Sequence, residues 1–136
     1  LTGEFGDKIG FTYRHFPLTT LHKNSMQATW VAEAAGAQGK FWEMHDKLLD
    51  MQKDWENEAN PTDKFISYAQ DLGLNIDTFK VDMESSLLHS KVQAQTDSGN
   101  RAGVNATPTL FLNGKKLELP RSYQDLKNIV QTELDK

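Results

Sequence analysis

Gly103-Val104-Asn105-Ala106-Thr107-Pro108-Thr109-Leu110-Phe111-Leu112-Asn113-Gly114-Lys115 is the stretch that decides how this chain of 136 residues is read. Val104 to Leu112 is rich in β-branched and apolar residues, so it reads as an approach segment followed by a strand at Thr109–Leu112. Asn113-Gly114 is a strong hairpin signal, because both central residues of a type I′ turn need positive φ. Pro108 has no N–H to give to a ladder, so it belongs at the first residue, an edge or a bulge. Leu117 and Leu119 then form the return strand. Ser122-Tyr123-Gln124-Asp125 resembles a capping box, with Asp as a shorter partner than the usual Glu. Leu126, Ile129, Val130 and Leu134 make the apolar stripe of a terminal helix.

The chain ahead of this block is mostly helical in pattern. Leu1 to Lys8 reads as the tail of a helix and a turn through Gly6-Asp7. Ile9, Phe11, Tyr13 and His15 then alternate with Gly10, Thr12, Arg14 and Phe16, which is strand periodicity, and Pro17 stops it. Leu18 to Lys23 is a loop. Asn24 or Ser25 caps a helix that runs to about Ala35, with Gly36 as its αL stop. A second helix runs from about Gly39 to Lys53, with Phe41, Met44, Leu48, Met51 and Trp55 along one stripe. Asn60-Pro61-Thr62-Asp63 starts a third helix, which Gly73 ends. Asp77 caps a short one carrying Phe79 and Met83. Ser85 or Ser86 opens a longer one to about Arg101.

Composition narrows the function classes. The length suits one domain with a real core. A net charge of −4 gives no electrostatic case for nucleic acid or an anionic membrane surface. No apolar run approaches the roughly 20 residues of a membrane span. The chain has no cysteine, hence no disulfide, thiol nucleophile or thiolate metal ligand within it. It opens at Leu1 without a Met, which raises the expectation of a segment upstream.

Gly-Val-Asn-Ala-Thr-Pro-Thr-Leu-Phe-Leu-Asn-Gly at 103–114 resembles the cis-proline loop, strand and hairpin of the DsbA-like branch of the thioredoxin superfamily. Tyr13-Arg14-His15-Phe16-Pro17-Leu18 and Gln38-Gly39-Lys40-Phe41-Trp42-Glu43-Met44-His45-Asp46 resemble the strand and helical insertion of the same branch. The similarity covers nearly the whole chain in the family's order. It implies an α/β, thioredoxin-like fold with a DsbA-like helical insertion, in which the first β-α unit is missing from this chain. Residues 1–136 would be a single, N-terminally truncated domain, with the insertion at 24–102 and the cis-Pro loop, hairpin and C-terminal helix at 103–136. In that fold the absent strand lies between Ile9–Phe16 and Thr109–Leu112, and its turn into the helix carries Cys-x-x-Cys. A central parallel strand pairs on both edges, so its absence calls for a sheet completed by another chain, rearranged or left open.

The resemblance also assigns roles. The Thr107-Pro108 bond would be cis, and the backbone N–H and C=O of Thr107 would pair with an extended substrate peptide. The local sequence alone leaves open a proline that simply starts an edge strand. The catalytic thiols would lie outside this chain, at a helix N-terminus where the dipole stabilises a thiolate that attacks a substrate disulfide. No catalytic residue, metal ligand or cofactor is expected within these residues. His45-Asp46 lacks a second histidine one turn away, and His15, His22 and His89 are dispersed. Trp30, Phe41, Trp42, Trp55 and Phe65 read as core first and pocket lining second.

The function implied is that of a fragment of a thiol-disulfide oxidoreductase or isomerase, inactive as written. Its partners would be cysteine-containing protein substrates and a redox partner protein, in a periplasmic or otherwise extracytoplasmic compartment. Two alternatives stand beside it: a redox-inactive peptide-binding module of the same fold, and a relative of glutathione-dependent isomerases or transferases.

Overall fold

The computed structural model describes all residues, 1–136, and divides them into two compact units: Arg14–Gly99, and Leu1–Tyr13 together with Asn100–Lys136.

The Arg14–Gly99 unit is helical. It holds α2 (Ser25–Gly36), α3 (Phe41–Asp50), α4 (Gln52–Trp55), α5 (Thr62–Asp71), α6 (Ile76–Met83) and most of α7 (Ser86–Arg101). Its core is one cluster in which Val31, Ala34 and Ala35 of α2 meet Met44, Leu48, Phe65, Ala69 and Phe79. Alanines along α2 let neighbouring helices approach closely, while Met44, Phe65 and Phe79 fill the volume between them.

The helix ends differ instructively from the expectations. Gly36 is the last residue of α2 but does not take the αL geometry expected of it. Gly39 takes the positive φ of 79° instead, and Lys40 N–H bonds to Ala35 C=O at 2.9 Å while Gly39 N–H bonds to Gly36 C=O at 3.0 Å. That is the paired closure of a Schellman motif, which needs αL geometry at one residue only. Gly36 serves packing: a Cβ there would lie 3.3 Å from the Cβ of Phe41. At the end of α5, Gly73 closes the same motif, with Leu74 N–H on Ala69 C=O and Gly73 N–H on Gln70 C=O, both at 3.0 Å.

The expected helix from Gly39 to Lys53 is broken at Met51, where φ is −101° and ψ 15°. The break leaves the Leu48 carbonyl without the usual donor four residues on. The buried indole of Trp55 donates to it at 2.9 Å. Asn24 stands at the head of α2 but makes no cap bond. Its amide instead donates to the carbonyls of Trp55, Glu56 and Glu58 at 2.8, 3.3 and 2.9 Å, so it closes the end of α4 rather than the start of α2. The cap of α6 is Asn75, whose side chain accepts from Thr78 N–H at 2.9 Å; Asp77, the expected cap, lies in the first turn. Asn60 accepts from Thr62 N–H at 3.2 Å, so α5 begins one residue later than Pro61 implied.

The second unit contains α1 (Thr2–Phe5), a 3-10 turn at Gly6–Lys8, a β-hairpin of β1 (Phe111–Leu112) and β2 (Lys115–Lys116), and α8 (Tyr123–Leu134). The hairpin is antiparallel with Phe111 opposite Lys116 and Leu112 opposite Lys115. Asn113 and Gly114 have φ of 47° and 78°, the pair of positive values that a two-residue type I′ turn demands. The strands are shorter than their apolar patterns imply, although Leu117 N–H still reaches Leu110 C=O at 2.8 Å. Ser122 caps α8 by accepting from Asp125 N–H at 3.1 Å. Tyr123 donates its hydroxyl to Glu4 at 2.9 Å and Lys127 pairs with the same carboxylate, which ties α1 to α8.

The segment Ile9–Phe16 is not a strand. It carries neither helix nor ladder, although Ile9 itself has extended dihedrals of −128° and 145°. Period-two alternation defines a face, but a strand also needs a neighbouring row of donors and acceptors. The one sheet here is the two-stranded hairpin, so the expected sheet that flanks a missing central strand is not built.

Within the helical unit, the two ends of its own segment meet. Arg14 donates to Ser98 Oγ at 3.1 Å, His15 N–H donates to Gln95 at 2.8 Å, and a Cβ on Gly99 would sit 2.7 and 2.9 Å from the ring carbons of Phe16. Gly99→Ala should therefore destabilise the unit by about 1–2 kcal/mol, since overpacking costs roughly 1–3 kcal/mol and exceeds the gain of about 1 kcal/mol in helix propensity. Adding Phe16→Leu should recover part of the loss. Thermal unfolding of the single and double variants checks this, and a stabilised Gly99→Ala chain would show that the contact is absent.

Candidate functional site

The turn ahead of β1 is built from local bonds. Gly103 has φ of 78° and its N–H bonds to Asn100 C=O at 3.1 Å, which ends α7 and turns the chain. Lys116 reaches back to the Gly103 carbonyl at 3.5 Å. Thr109 donates its hydroxyl to Ala106 C=O at 2.6 Å and so bridges the residues on either side of Thr107-Pro108. The Thr107-Pro108 peptide bond is cis. Both residues are exposed, as are Asn105 and Ala106. The turn thus presents main-chain groups to solvent beside an antiparallel edge.

The geometry of the hairpin fixes which groups face outward. Leu110, just ahead of β1, accepts from Leu117 N–H just past β2, and Leu112 stands opposite Lys115 beside the turn. In an antiparallel pair the alternate residue points its N–H and C=O the other way, which here is Phe111. Its side chain is 44% exposed. Thr109 and Phe111 therefore stand on the edge away from β2, and Thr107 lies beyond them across the cis bond.

Histidines have roles that sequence alone did not reveal. His15 is buried, 5% exposed, and its Nε2 lies 2.9 Å from Glu33 Oε1 on α2. An ionised carboxylate only accepts, so Nε2 carries the proton. Lys91 of α7 donates to the other carboxylate oxygen at 2.7 Å. Glu33 is itself 7% exposed, and its pKa is held below the ordinary value by the bond from His15 foremost, against the opposing effect of burial, with Lys91 adding to the depression. His89 stacks on Trp30 with ring centroids 3.7 Å apart and donates from Nε2 to Met83 C=O at 2.7 Å. His45 lies 3.0 Å from Asp46 and packs edge-on against Trp42. Each is a packing or hydrogen-bonding role, and no three of the His, Asp and Glu side chains gather as a metal site would require.

The aromatic residues divide. Trp55 and Phe65 are buried and lie 5.6 Å apart. Trp30 and Phe41 are half-buried, whereas Trp42 is 47% exposed at the start of α3. Phe41 and Trp42 meet edge to face at 5.0 Å. Spacing placed all five on helical stripes, but position within the stripe decides which ones the core takes.

A turn of this build, leading into a hairpin and a terminal helix after a run of helices, defines a thioredoxin-type chain. The sequence model of the family described as Thioredoxin matches residues 3–132, and the chain belongs to that family. Its curated relatives carry another name. A segment of the Na(+)/H(+) antiporter NhaA 3 of Salinispora tropica is 34% identical over 124 residues, covering 91% of this chain and 18% of that protein. The Na(+)/H(+) antiporter NhaA 1 of Mycolicibacterium vanbaalenii is 39% identical over 113 residues, covering 81% and 17%. The Na(+)/H(+) antiporter NhaA of Herminiimonas arsenicoxydans is 33% identical over 117 residues, covering 86% and 18%. The chain spans less than a fifth of the length of these relatives. No helix of the chain is long and apolar enough to cross a membrane.

Glu33 supplies a test of the buried network. Its depressed pKa means that its stabilisation is complete above the ordinary carboxylate value of about 4.3 and is lost as pH falls below it. Glu33→Gln should cost about 1–3 kcal/mol at neutral pH, and the gap between variant and parent should close in acid. Urea unfolding at neutral and acidic pH measures both; a gap that stays constant would refute the assignment.

Proposed function

We propose that this chain is the helical-insertion and C-terminal part of a DsbA-like thiol-disulfide oxidoreductase acting on protein disulfides, with Thr107 and Pro108 at the substrate-binding turn. The reactive dithiol is then supplied by a β-α unit that these residues do not contain. The family match through 3–132 carries the reading. The exposed Thr107-Pro108 turn and the open edge at Thr109 and Phe111 support it, since an extended peptide recognised by strand addition needs main-chain donors and acceptors on an open edge. In a complete site a thiolate at a helix N-terminus attacks the substrate disulfide, one substrate sulfur leaves as thiolate, and a second cysteine resolves the mixed disulfide. The part assigned to the present residues is binding: Thr107 aligns the substrate backbone, and Pro108 offers no N–H that would compete for it. An extracytoplasmic compartment follows from this reading, because a disulfide-forming enzyme meets oxidised substrates there.

A second reading has its own support. The curated relatives are named as Na(+)/H(+) antiporters and match over one segment only. The chain would then be a thioredoxin-fold module carried by a larger membrane polypeptide, either redox-active or a peptide-binding module without thiols.

The native coding sequence around these residues separates the possibilities. A Cys-x-x-Cys in the adjoining β-α unit, together with disulfide reduction or oxidation by the whole polypeptide that is absent from the cysteine-free chain, is the expected result. Other residues at those positions would replace the enzyme by a binding module. For the second reading, immunodetection in fractionated cells should find a polypeptide several times larger than this chain in the membrane fraction. A small product confined to the non-membrane fraction would exclude it.

A further inference from the structure

We propose that Asn113-Gly114 is a site of spontaneous covalent modification, at which the Asn113 amide converts to aspartate and isoaspartate and loosens the hairpin from α8. This goes beyond the binding role of the neighbouring turn and does not depend on it. Of the eight asparagines in the chain, Asn113 alone precedes glycine. The reaction begins when the backbone nitrogen of the following residue attacks the side-chain carbonyl, and a Cβ on that residue hinders the approach. At Gly114 there is none, and the space where one would stand is open to 4 Å. Both residues are exposed at the tip of the turn.

The chemistry balances without a co-reactant other than water. The Gly114 nitrogen forms a bond to Cγ of Asn113, the Cγ–Nδ2 bond breaks, and ammonia leaves with the proton from the Gly114 N–H. Water then opens the five-membered imide at either carbonyl. One opening gives aspartate; the other gives isoaspartate, with an extra methylene in the main chain.

The hairpin controls access to this reaction. In the closed turn the Asn113 amide donates to Glu133 Oε1 of α8 at 3.3 Å, which restrains the group that must be attacked. The ladder holding the turn closed is short: two residues on each strand, plus the Leu117–Leu110 bond. Such a ladder opens locally at small cost, so modification proceeds from the opened hairpin and its rate reports that opening. The product cannot restore the closed state. An aspartate places a second carboxylate against Glu133, whose own ionisation is favoured by Lys136 and by the bond from Asn113. An isoaspartate lengthens a two-residue turn that tolerates no extra backbone atom.

The test incubates the intact chain at mildly alkaline pH and follows all eight asparagines by peptide mapping with mass spectrometry, with isoaspartyl methyltransferase as an independent label. Asn113 should convert ahead of the other seven. Glu133→Ala, whose fold is checked by circular dichroism, should convert faster by about two- to tenfold, the factor that corresponds to one ordinary hydrogen bond. Asn113→Gln should abolish methyltransferase labelling of this peptide. Conversion no faster than at the other asparagines, or a rate unmoved by Glu133→Ala, would overturn the proposal.

Discussion

The constraint on which the helical unit depends is the carboxylate of Glu33. It sits in the middle of α2 among Ala32, Ala34 and Ala35, where almost no water reaches it. A buried charge without partners is among the costliest features a core can hold. Two partners meet it from different elements: His15 from the extended segment and Lys91 from α7. His15 in turn meets the ring of Phe41 edge-on at 5.8 Å. One ionised group thus fixes three pieces of chain that no local pattern would bring together. The ammonium of Lys91 remains half in solvent, so it contributes less than His15, as expected of a screened charge.

That network also explains why the helical unit closes on itself. Arg14, His15 and Phe16 all rest on α7, through Ser98, Gln95 and Gly99. The unit therefore begins and ends at one place, the arrangement that allows a domain to be inserted into another chain without disturbing either. Its core, from Ala28 to Met83, is complete within its own residues. The other unit buries far less, with Phe5 and Val130 as its buried apolar side chains. A short hairpin and a helix cannot bury much surface, and small cores are correspondingly marginal. Buried apolar surface is thus concentrated in the helical unit, and exposed backbone at the turn before β1 belongs to the thinner one.

How much of this was legible depended on the range of each interaction. Asn113-Gly114 declares its turn because positive φ at two adjacent residues is a local demand that few residue pairs meet. Ser122 declares the start of α8 because capping is local too, its hydroxyl accepting from Asp125 N–H three residues on. Gly36 and Gly39 show the limit: either glycine can adopt αL, and the choice falls to Phe41, whose ring needs the space that Gly36 leaves. Asn24 reads as a cap in sequence, yet carbonyls more than thirty residues away claim its amide. His15 and Glu33 are unremarkable singly; only the fold makes them partners. The alternation at Ile9–Phe16 misled because it reports side-chain direction and is silent about a neighbouring strand. The turn at Thr107-Pro108 was found through resemblance to a family, since a proline before a strand has two local readings.

The open edge of the hairpin and the absence of cysteine from these residues bear on one question under the proposed function. A two-stranded hairpin is barely stable alone in water, and this one is steadied by contacts to α8 and to the Gly103 carbonyl. Phe111 and Thr109 still direct main-chain groups away from β2, where a further strand would satisfy them. Under the proposed function, the element that fills that place and the element that bears the dithiol are the same strand-helix unit. Strand pairing would then set the position of the thiols relative to Thr107 to within the spacing of adjacent strands, about 4.7–4.9 Å. On that reading a single addition would pair the open edge and bring a thiol to the turn, so structural completion and catalytic competence would arrive together.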